Sequence, residues 1–357
     1  MRYSDLAEMA LEIDRIDLHR HERETTSGFT RVTTEFELVG NDTAGRGEDV
    51  TYETADHDRL HEAGLPDLTG SYTIDSYSER LGDTDLFPDP PDRPVFRNYR
   101  RWGLESAALD LALRQADTDL SAVVDRPYQP LRFVTSTRLG EPPTTRRITA
   151  LREQIPGVGF KLDPTPEWDD AIVDELQAVA DIHILDLKGQ YEGTEVDVPA
   201  DPRLYERILT GFPNAVVEDP KLTDETQPLF EDESVRNRVS WDAAIHGLED
   251  ITSLPWEPRW LNIKPSRFGS LRSLCETLEY CAEQDIQLYG GGQFELSVGR
   301  GQLQALASLW YPDGPNDVAP RAYNDPEITD DLPTSPLSPP ETPVGFRWEV
   351  GRDHPTK

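Results

Sequence analysis

Between residues 11 and 54 polar and apolar positions alternate, most clearly in Arg31-Val32-Thr33-Thr34-Glu35-Phe36-Glu37-Leu38-Val39, and the turn cluster Gly40-Asn41-Asp42-Thr43-Ala44-Gly45 interrupts the pattern. A period of two sets one face of a strand on a core and the other in water, so the stretch predicts an antiparallel strand pair. After a Pro-rich stretch near 87–94, Leu104, Ala108, Leu111 and Ala112 recur at helical intervals between Trp102 and Ala116 and predict an amphipathic helix. The first 125 residues therefore read as α+β.

From about Leu131 the texture changes to short apolar runs separated by helical segments. The runs are Leu131 to Thr135, Val158 to Leu162, Ile182 to Leu187, Ala215 to Val217, Val239 to Trp241, Trp260 to Ile263 and Ile286 to Tyr289. Strands alternating with helices at this spacing imply βαβ units and a parallel sheet, and seven runs in about 160 residues favour a (β/α)8 TIM barrel over an open sheet. An eighth strand is poorly marked. Beyond Pro326 the chain is rich in Pro, Ser and Asp, then turns apolar at Val344-Gly345-Phe346-Arg347-Trp348, which predicts a linker and one last strand returning to the N-terminal sheet. The expected division is an α+β unit over 1–126, which the resemblance described below implies is a capping domain, a barrel over 127–325 and a returning segment over 326–357.

Composition narrows the function classes. At 357 residues with 36% hydrophobic positions, the chain is long enough for two cores and too apolar for wholesale disorder. Asp plus Glu number 68 against 35 Lys plus Arg, a formal charge of −33 that repels phosphate backbones and anionic membranes. Nucleic acid and membrane partners are therefore not expected. Lysines stand at only five positions, 161, 188, 221, 264 and 357, and this acidic, Lys-poor surface resembles that of proteins from salt-loving organisms. Cys275 and Cys281 lie six apart on one predicted helix and point to different sides, so reduced thiols and a cytoplasmic setting are expected. No zinc motif, Walker loop, dinucleotide fingerprint or nucleophile elbow occurs.

Barrel enzymes carry their chemistry at the C-terminal ends of the strands. Here the second run ends Phe160-Lys161-Leu162-Asp163, the third in Asp186, the fourth in Glu218, the fifth in Asp242 and the sixth in Lys264. The spacings of 32, 24 and 22 residues from Asp186 to Glu218 to Asp242 to Lys264 each fit one strand, loop, helix, loop unit. Three carboxylates at one mouth raise each other's pKa unless a cation joins them. Oxygen-only ligands with positions left for water and substrate suit Mg²⁺, with Mn²⁺ close behind. A bland reading stands beside this one, in which each residue is a solvated loop start or a helix N-cap.

These residues resemble the enolase superfamily, and within it the branch of muconate-lactonizing enzymes and o-succinylbenzoate synthases, in the mandelate racemase/muconate lactonizing enzyme family. Gly45-Arg46-Gly47-Glu48 resembles the G-x-G-E turn of the capping domain, and Leu104 to Leu111 resembles its helix leading into the barrel. Glu218-Asp219-Pro220 is similar to the E-[DQ]-P signature of the fourth strand. Asn262 to Leu271 resembles N-I-K-P-x-R-x-G-G-L, and Gly291 to Arg300 resembles G-G-M-L-E-S-G-I-G-R. The resemblance implies a modified barrel closed by an α+β cap of N- and C-terminal segments, with Mg²⁺ on Asp186, Glu218 and Asp242. It implies an enzyme, a lyase or isomerase, that abstracts a proton α to the carboxylate of a small carboxylic acid through a metal-stabilised enediolate. Lys264 takes the base position, and Asn262, two residues back on the same strand face, holds substrate or orders the site. Glu295 and Ser297 lie where relatives contact the substrate carboxylate. A homo-oligomer is compatible with the family.

Two departures matter. The family usually has K-x-K on the second strand where this chain has Lys161-Leu162-Asp163, so either Lys161 or Asp163 takes the second acid/base role, or the two pair inertly. On the third strand the family's D-x-N is Asp186-Leu187-Lys188, which sets a cation beside the metal position or offers it to a substrate anion. A weakened second base disfavours racemisation or epimerisation and favours dehydration or cycloisomerisation. A Schiff-base lysine and a non-catalytic metal-binding barrel are the rival readings.

Overall fold

The computed structural model describes residues 2–25, 29–191, 198–325 and 327–348. Of the expected segment 326–357, Pro326 and residues 349–357 lie outside the described residues. Five strands precede the barrel: β1 (Ala10–Ile13), β2 (Arg15–Glu24), β3 (Thr30–Gly40), β4 (Thr43–Asp49) and β5 (Gly70–Thr73). β2, β3 and β4 form an antiparallel meander and β1 pairs antiparallel with β5, so the expected strand pair is a three-stranded sheet with a separate two-stranded one. Against β4 packs the helix Phe96–Gln115, which starts six residues earlier than the spacing predicts. Every residue from Trp102 to Leu113 is buried, because this helix is covered on all sides. The approach is close enough that a Cβ on Gly47 would fall 2.1 Å from the Gly103 carbonyl oxygen and one on Gly45 2.1 Å from the Leu111 nitrogen, so the two glycines of the G-x-G-E motif, which lies in strand β4 and not in a turn, are there for space.

The barrel strands are β6 (Val134–Thr137), β7 (Gly159–Leu162), β8 (Asp181–Asp186), β9 (Val216–Glu218), β10 (Val239–Trp241), β11 (Trp260–Ile263) and β12 (Gln287–Gly290). They pair parallel in that order in one seven-stranded sheet, and helices lie between most successive strands. All seven predicted runs are present, with ends shifted by up to three residues. Among the described residues no eighth strand is formed. Instead, Asn316 and Asp317 make isolated parallel bridges to Phe133 and to Gly291. The Asn316 side chain replaces strand pairing there: its Oδ1 accepts from the Gly290 N–H at 2.7 Å and its Nδ2 donates to the carbonyls of Arg132, Tyr311 and Gly314, each at 3.0 Å.

The last apolar stretch returns to the cap, but not as a strand on the N-terminal sheet. Gly345, with φ +68°, bridges Asp119, and the buried Asp110 carboxylate on the long helix accepts from the Phe346 N–H at 2.8 Å and from Arg347 at 2.7 and 2.9 Å. The left-handed turn breaks the extended run, and Asp110 captures it. Cys275 and Cys281 are free and buried on the helix Leu271–Glu283. Among the described residues no helix is long and apolar enough to cross a membrane.

Candidate active site

β8 and β9 end side by side, with Asp186 opposite Glu218 in register, so both carboxylates leave the sheet at the same level. The next residue, Asp219, has φ +50° and turns its side chain across to the end of β10, where its two oxygens accept the N–H groups of Asp242 at 2.8 Å and Ala243 at 2.9 Å. One oxygen each of Asp186, Glu218 and Asp219 lie within 4.8 Å of one another, and all three residues are fully buried. The group that the geometry draws tightest thus contains Asp219, which sequence reasoning quoted in a motif without assigning. Asp242, expected as the third member, is equally buried but is not among these three. Its Oδ2 accepts from Lys264 Nζ at 2.8 Å and Tyr191 Oη at 2.9 Å, and its Oδ1 lies 3.0 Å from Arg267 Nη1.

Lys264 follows β11 and Asn262 lies within it, and both approach the end of β12. A Cβ on Gly291 would fall 2.5 Å from Asn262 Oδ1 and 2.7 Å from Lys264 Cε, so the glycine clears the space that both side chains occupy. Asn262 Nδ2 donates to Glu218 Oε2 at 3.3 Å, while its buried Oδ1 has no hydrogen-bond partner. Tyr289, also on β12, donates to Glu218 and lies 2.6 Å from Ser240 Oγ.

The two positions of the second strand separate. Lys161 Nζ, on β7, is buried against Glu218 at 2.6 Å, Asp186 at 3.3 Å and Asp317 at 3.6 Å. Asp163 is 3.2 Å from Arg138 Nε and 3.7 Å from Lys188 Nζ. The inert Lys161–Asp163 pair is therefore not formed. Lys188 donates to Asp186 through its ammonium, and its backbone N–H reaches Asp186 Oδ1 at 3.1 Å. Glu295 and Ser297 stand apart from this group. Glu295 pairs with Arg300 at 3.1 Å and accepts from the Gln293 N–H, while Ser297 donates to Glu35 of the cap. Their partners serve the joint between barrel and cap. At that joint Glu48, the last residue of the G-x-G-E motif on β4, accepts the N–H groups of Leu296, Ser297 and Gly299 at 2.6 to 3.1 Å.

The electrostatics follow from burial and crowding. Burial and the neighbouring Asp186 push the Glu218 carboxyl well above the carboxylate range, despite Lys161. Burial, Asp242 and Asp186 push Asp219 up to about 7. Burial would raise Asp186 and Asp242 as well, but Lys188 and Lys161 hold the first down, and Arg267 and Lys264 the second. Lys161 stays firmly protonated because Glu218 and Asp186 outweigh its desolvation. Such a set of crowded, oxygen-only donors fits a hard divalent cation: Asp186 and Glu218 would hold it, with Asp219 or Asp242 as the third carboxylate. Sequence reasoning missed Asp219, Tyr289, Arg267 and Asp317. The signal for Arg267 lay within the quoted N-I-K-P-x-R motif.

Comparison with known proteins bears on this site. A family model described as the C-terminal domain of "Domain of unknown function (DUF8230)" matches residues 127–325, and its N-terminal counterpart matches 4–123. The o-succinylbenzoate synthase of Bacillus subtilis (strain 168) is 35% identical over 74 residues, which is 20% of this chain and 20% of that protein, so the match spans about a fifth of that relative's length. Among solved structures, the muconate lactonizing enzyme from Pseudomonas putida superposes with a TM-score of 0.67 at 19% identity, covering 94% of this chain and 96% of the other. A member of the enolase superfamily from Listeria innocua Clip11262 gives 0.66 at 18% identity, covering 87% and 86%. A probable mandelate racemase from Alicyclobacillus acidocaldarius gives 0.62 at 18%, covering 94% and 91%. The fold is that of the enolase superfamily.

Proposed function

The chain belongs to the DUF8230 family, and we propose that it is a divalent-metal-dependent enzyme that removes a proton α to the carboxylate of a small carboxylic acid, leading to dehydration or cycloisomerisation. The observation that carries this reading is the mouth itself: buried Asp186 and Glu218 side by side at the ends of β8 and β9, Asp219 close beside them and tied to the backbone of Asp242, and Lys264 bound to the buried Asp242. Asp186, Glu218 and Asp242 would hold the ion, preferably Mg²⁺, with Mn²⁺ as a substitute. Asp219 acts as their brace, since both of its oxygens already accept backbone N–H groups from the end of β10. When bound, the cation supplies Lewis-acid stabilisation of negative charge developing on the substrate carboxylate.

The chain's own residues do the rest. Lys264 Nζ takes the proton from the α carbon, and Asp242 keeps it oriented. Asn262 offers its unpartnered Oδ1 to a substrate donor from the floor of the site. Lys161 is held by two carboxylates, Glu218 and Asp186, whereas Lys264 donates to Asp242 alone, which supports a reaction with one principal base over a racemase or epimerase. Deuterium wash-in from D₂O across a panel of carboxylic acids with Mg²⁺ present tests the reading. Exchange at the α carbon that is lost in Lys264→Ala is the expected result; Mg²⁺ binding without exchange of any acid would leave a non-catalytic metal-binding barrel.

A further inference from the structure

The two departures from the family pattern meet in space. Asp163 stands where the resemblance has the second lysine of the second strand, and Lys188 where it has an asparagine after the third. β7 and β8 are neighbours, and Lys188 Nζ lies 3.7 Å from Asp163 Oδ1 while it donates to Asp186. Its backbone sits at φ +54°, a conformation that lysine seldom adopts, and this turn folds the side chain back over the Tyr191 ring, 5.2 Å from its centroid. One ammonium thus has two carboxylates within reach. The first belongs to the metal cluster, and the second lies outside it, anchored by Arg138 at 3.2 Å.

We propose that Lys188 is a tethered cation that competes with the divalent ion for Asp186, and that Asp163 is the berth that receives the ammonium when the ion binds. The proposal rests on the metal reading above and extends it to what sets the affinity. A positive charge on a ligand oxygen repels an arriving divalent ion, and in a buried site that repulsion is weakly screened. Removing it would leave Asp186 to Lys161 at 3.3 Å but would also leave Asp163 facing only Arg138. Handing the ammonium from Asp186 to Asp163 keeps that charge paired and makes metal binding a cation exchange at Asp186. The paired substitution, acid for lysine on one strand and lysine for asparagine on the next, makes sense as one device.

Calorimetric titration of Mg²⁺ into four proteins tests it: the unaltered chain, Lys188→Asn, Asp163→Asn and the double variant. Asparagine tolerates the left-handed backbone, and Lys188→Gly, free of any backbone cost, carries the same expectation should Lys188→Asn fold poorly. Lys188→Asn should bind about tenfold more tightly and Asp163→Asn about threefold more weakly, with the double variant matching Lys188→Asn. Equal or weaker binding by Lys188→Asn and Lys188→Gly overturns the competition. An Asp163→Asn loss that persists undiminished in the Lys188→Asn background overturns the berth, because Asp163 would then act through its own charge alone. Those failures leave the metal reading standing. Absence of Mg²⁺ binding in all four proteins removes that reading and the inference with it.

Discussion

The cap and the barrel mouth both bury carboxylates against cations, but they satisfy them differently. In the cap, Asp49 and Arg100 are both fully inaccessible and their hydrogen bonding is complete along the contact. Arg100 Nε donates to Asp49 Oδ2 at 2.8 Å, its two other nitrogens donate to the carbonyls of Leu86 and Asp56 at 3.1 Å, and its guanidinium lies 3.6 Å from the centroid of the Phe87 ring. The other Asp49 oxygen accepts the N–H and hydroxyl of Thr51. Burial alone would raise this carboxyl, yet Arg100 and His57 hold it below its usual range. At the mouth, Asp186, Glu218, Asp219 and Asp242 crowd together, and Glu218 and Asp219 are pushed up because burial and like charge outweigh the lysines nearby. One region is a finished structural contact. The other keeps two neighbouring carboxyls raised even with Lys161, Lys188, Lys264 and Arg267 beside the group, the kind of crowding that a bound cation would relieve.

The largest effect should come from breaking the finished contact. Asp49→Asn leaves Arg100 charged and inaccessible, and should cost about 3 to 5 kcal/mol of folding stability in denaturant titrations. A loss under about 1 kcal/mol would make the cap pair no different from an exposed one. Glu218→Gln tests the other side. Lys161, Tyr289 and Asn262 all donate to this carboxylate, so the amide turns an NH₂ toward a donor and the metal-free variant should unfold about 1 to 3 kcal/mol more easily than the unaltered chain. It should also lose stabilisation by Mg²⁺, which at a free concentration of about a hundred times Kd is worth about 2.7 kcal/mol. A strong thermal shift with Mg²⁺ in Glu218→Gln would take that carboxylate out of the metal site.

The difference between these regions was only half legible in the sequence. The runs and their spacing carry the seven barrel strands, since a strand buried on both faces announces itself as a short apolar stretch. Asp186, Glu218, Asp242 and Lys264 could be read from the ends of those runs. Asp219 could not be placed, because its role depends on a left-handed φ that sends its side chain across to the next strand, and only the folded chain sets that angle. Tyr289 reads as one more apolar strand residue until the register of β12 turns its hydroxyl to Glu218. The eighth strand was unmarked because one asparagine side chain, not a run of residues, closes the hydrogen bonding there. Glu48 was visible as a motif, but its three backbone donors lie about 250 residues away.

Smaller effects separate positions that finish a contact from those that tune the site. Glu48→Gln replaces an acceptor by an amide whose NH₂ must face the N–H groups of Leu296, Ser297 and Gly299, and it should lower stability by about 1 to 3 kcal/mol. Because that contact joins cap to barrel, hydrogen exchange should quicken at the start of the helix Gly299–Trp310 while the β8 and β9 amides keep their protection. Equal quickening at both places would mean that cap and mouth are one cooperative unit.

Tyr289→Phe should have the smallest effect and yet discriminates most finely. The phenol donates to the same Glu218 oxygen that Asn262 approaches, so its loss removes one of the two neutral donors that orient this carboxylate. Metal-free stability should fall by about 1 kcal/mol, the net worth of a hydrogen bond, as Glu218 loses the phenol donor and Ser240 its phenol partner. Mg²⁺ affinity should fall about tenfold, as when an orienting partner of a metal ligand is removed. In the Glu218→Gln background the same change should leave Mg²⁺ binding where it is, because the carboxylate it orients has gone. If Tyr289→Phe weakened binding equally in both backgrounds, the phenol would act on the site through packing, and the mouth would rest on the same kind of completed contact as the cap.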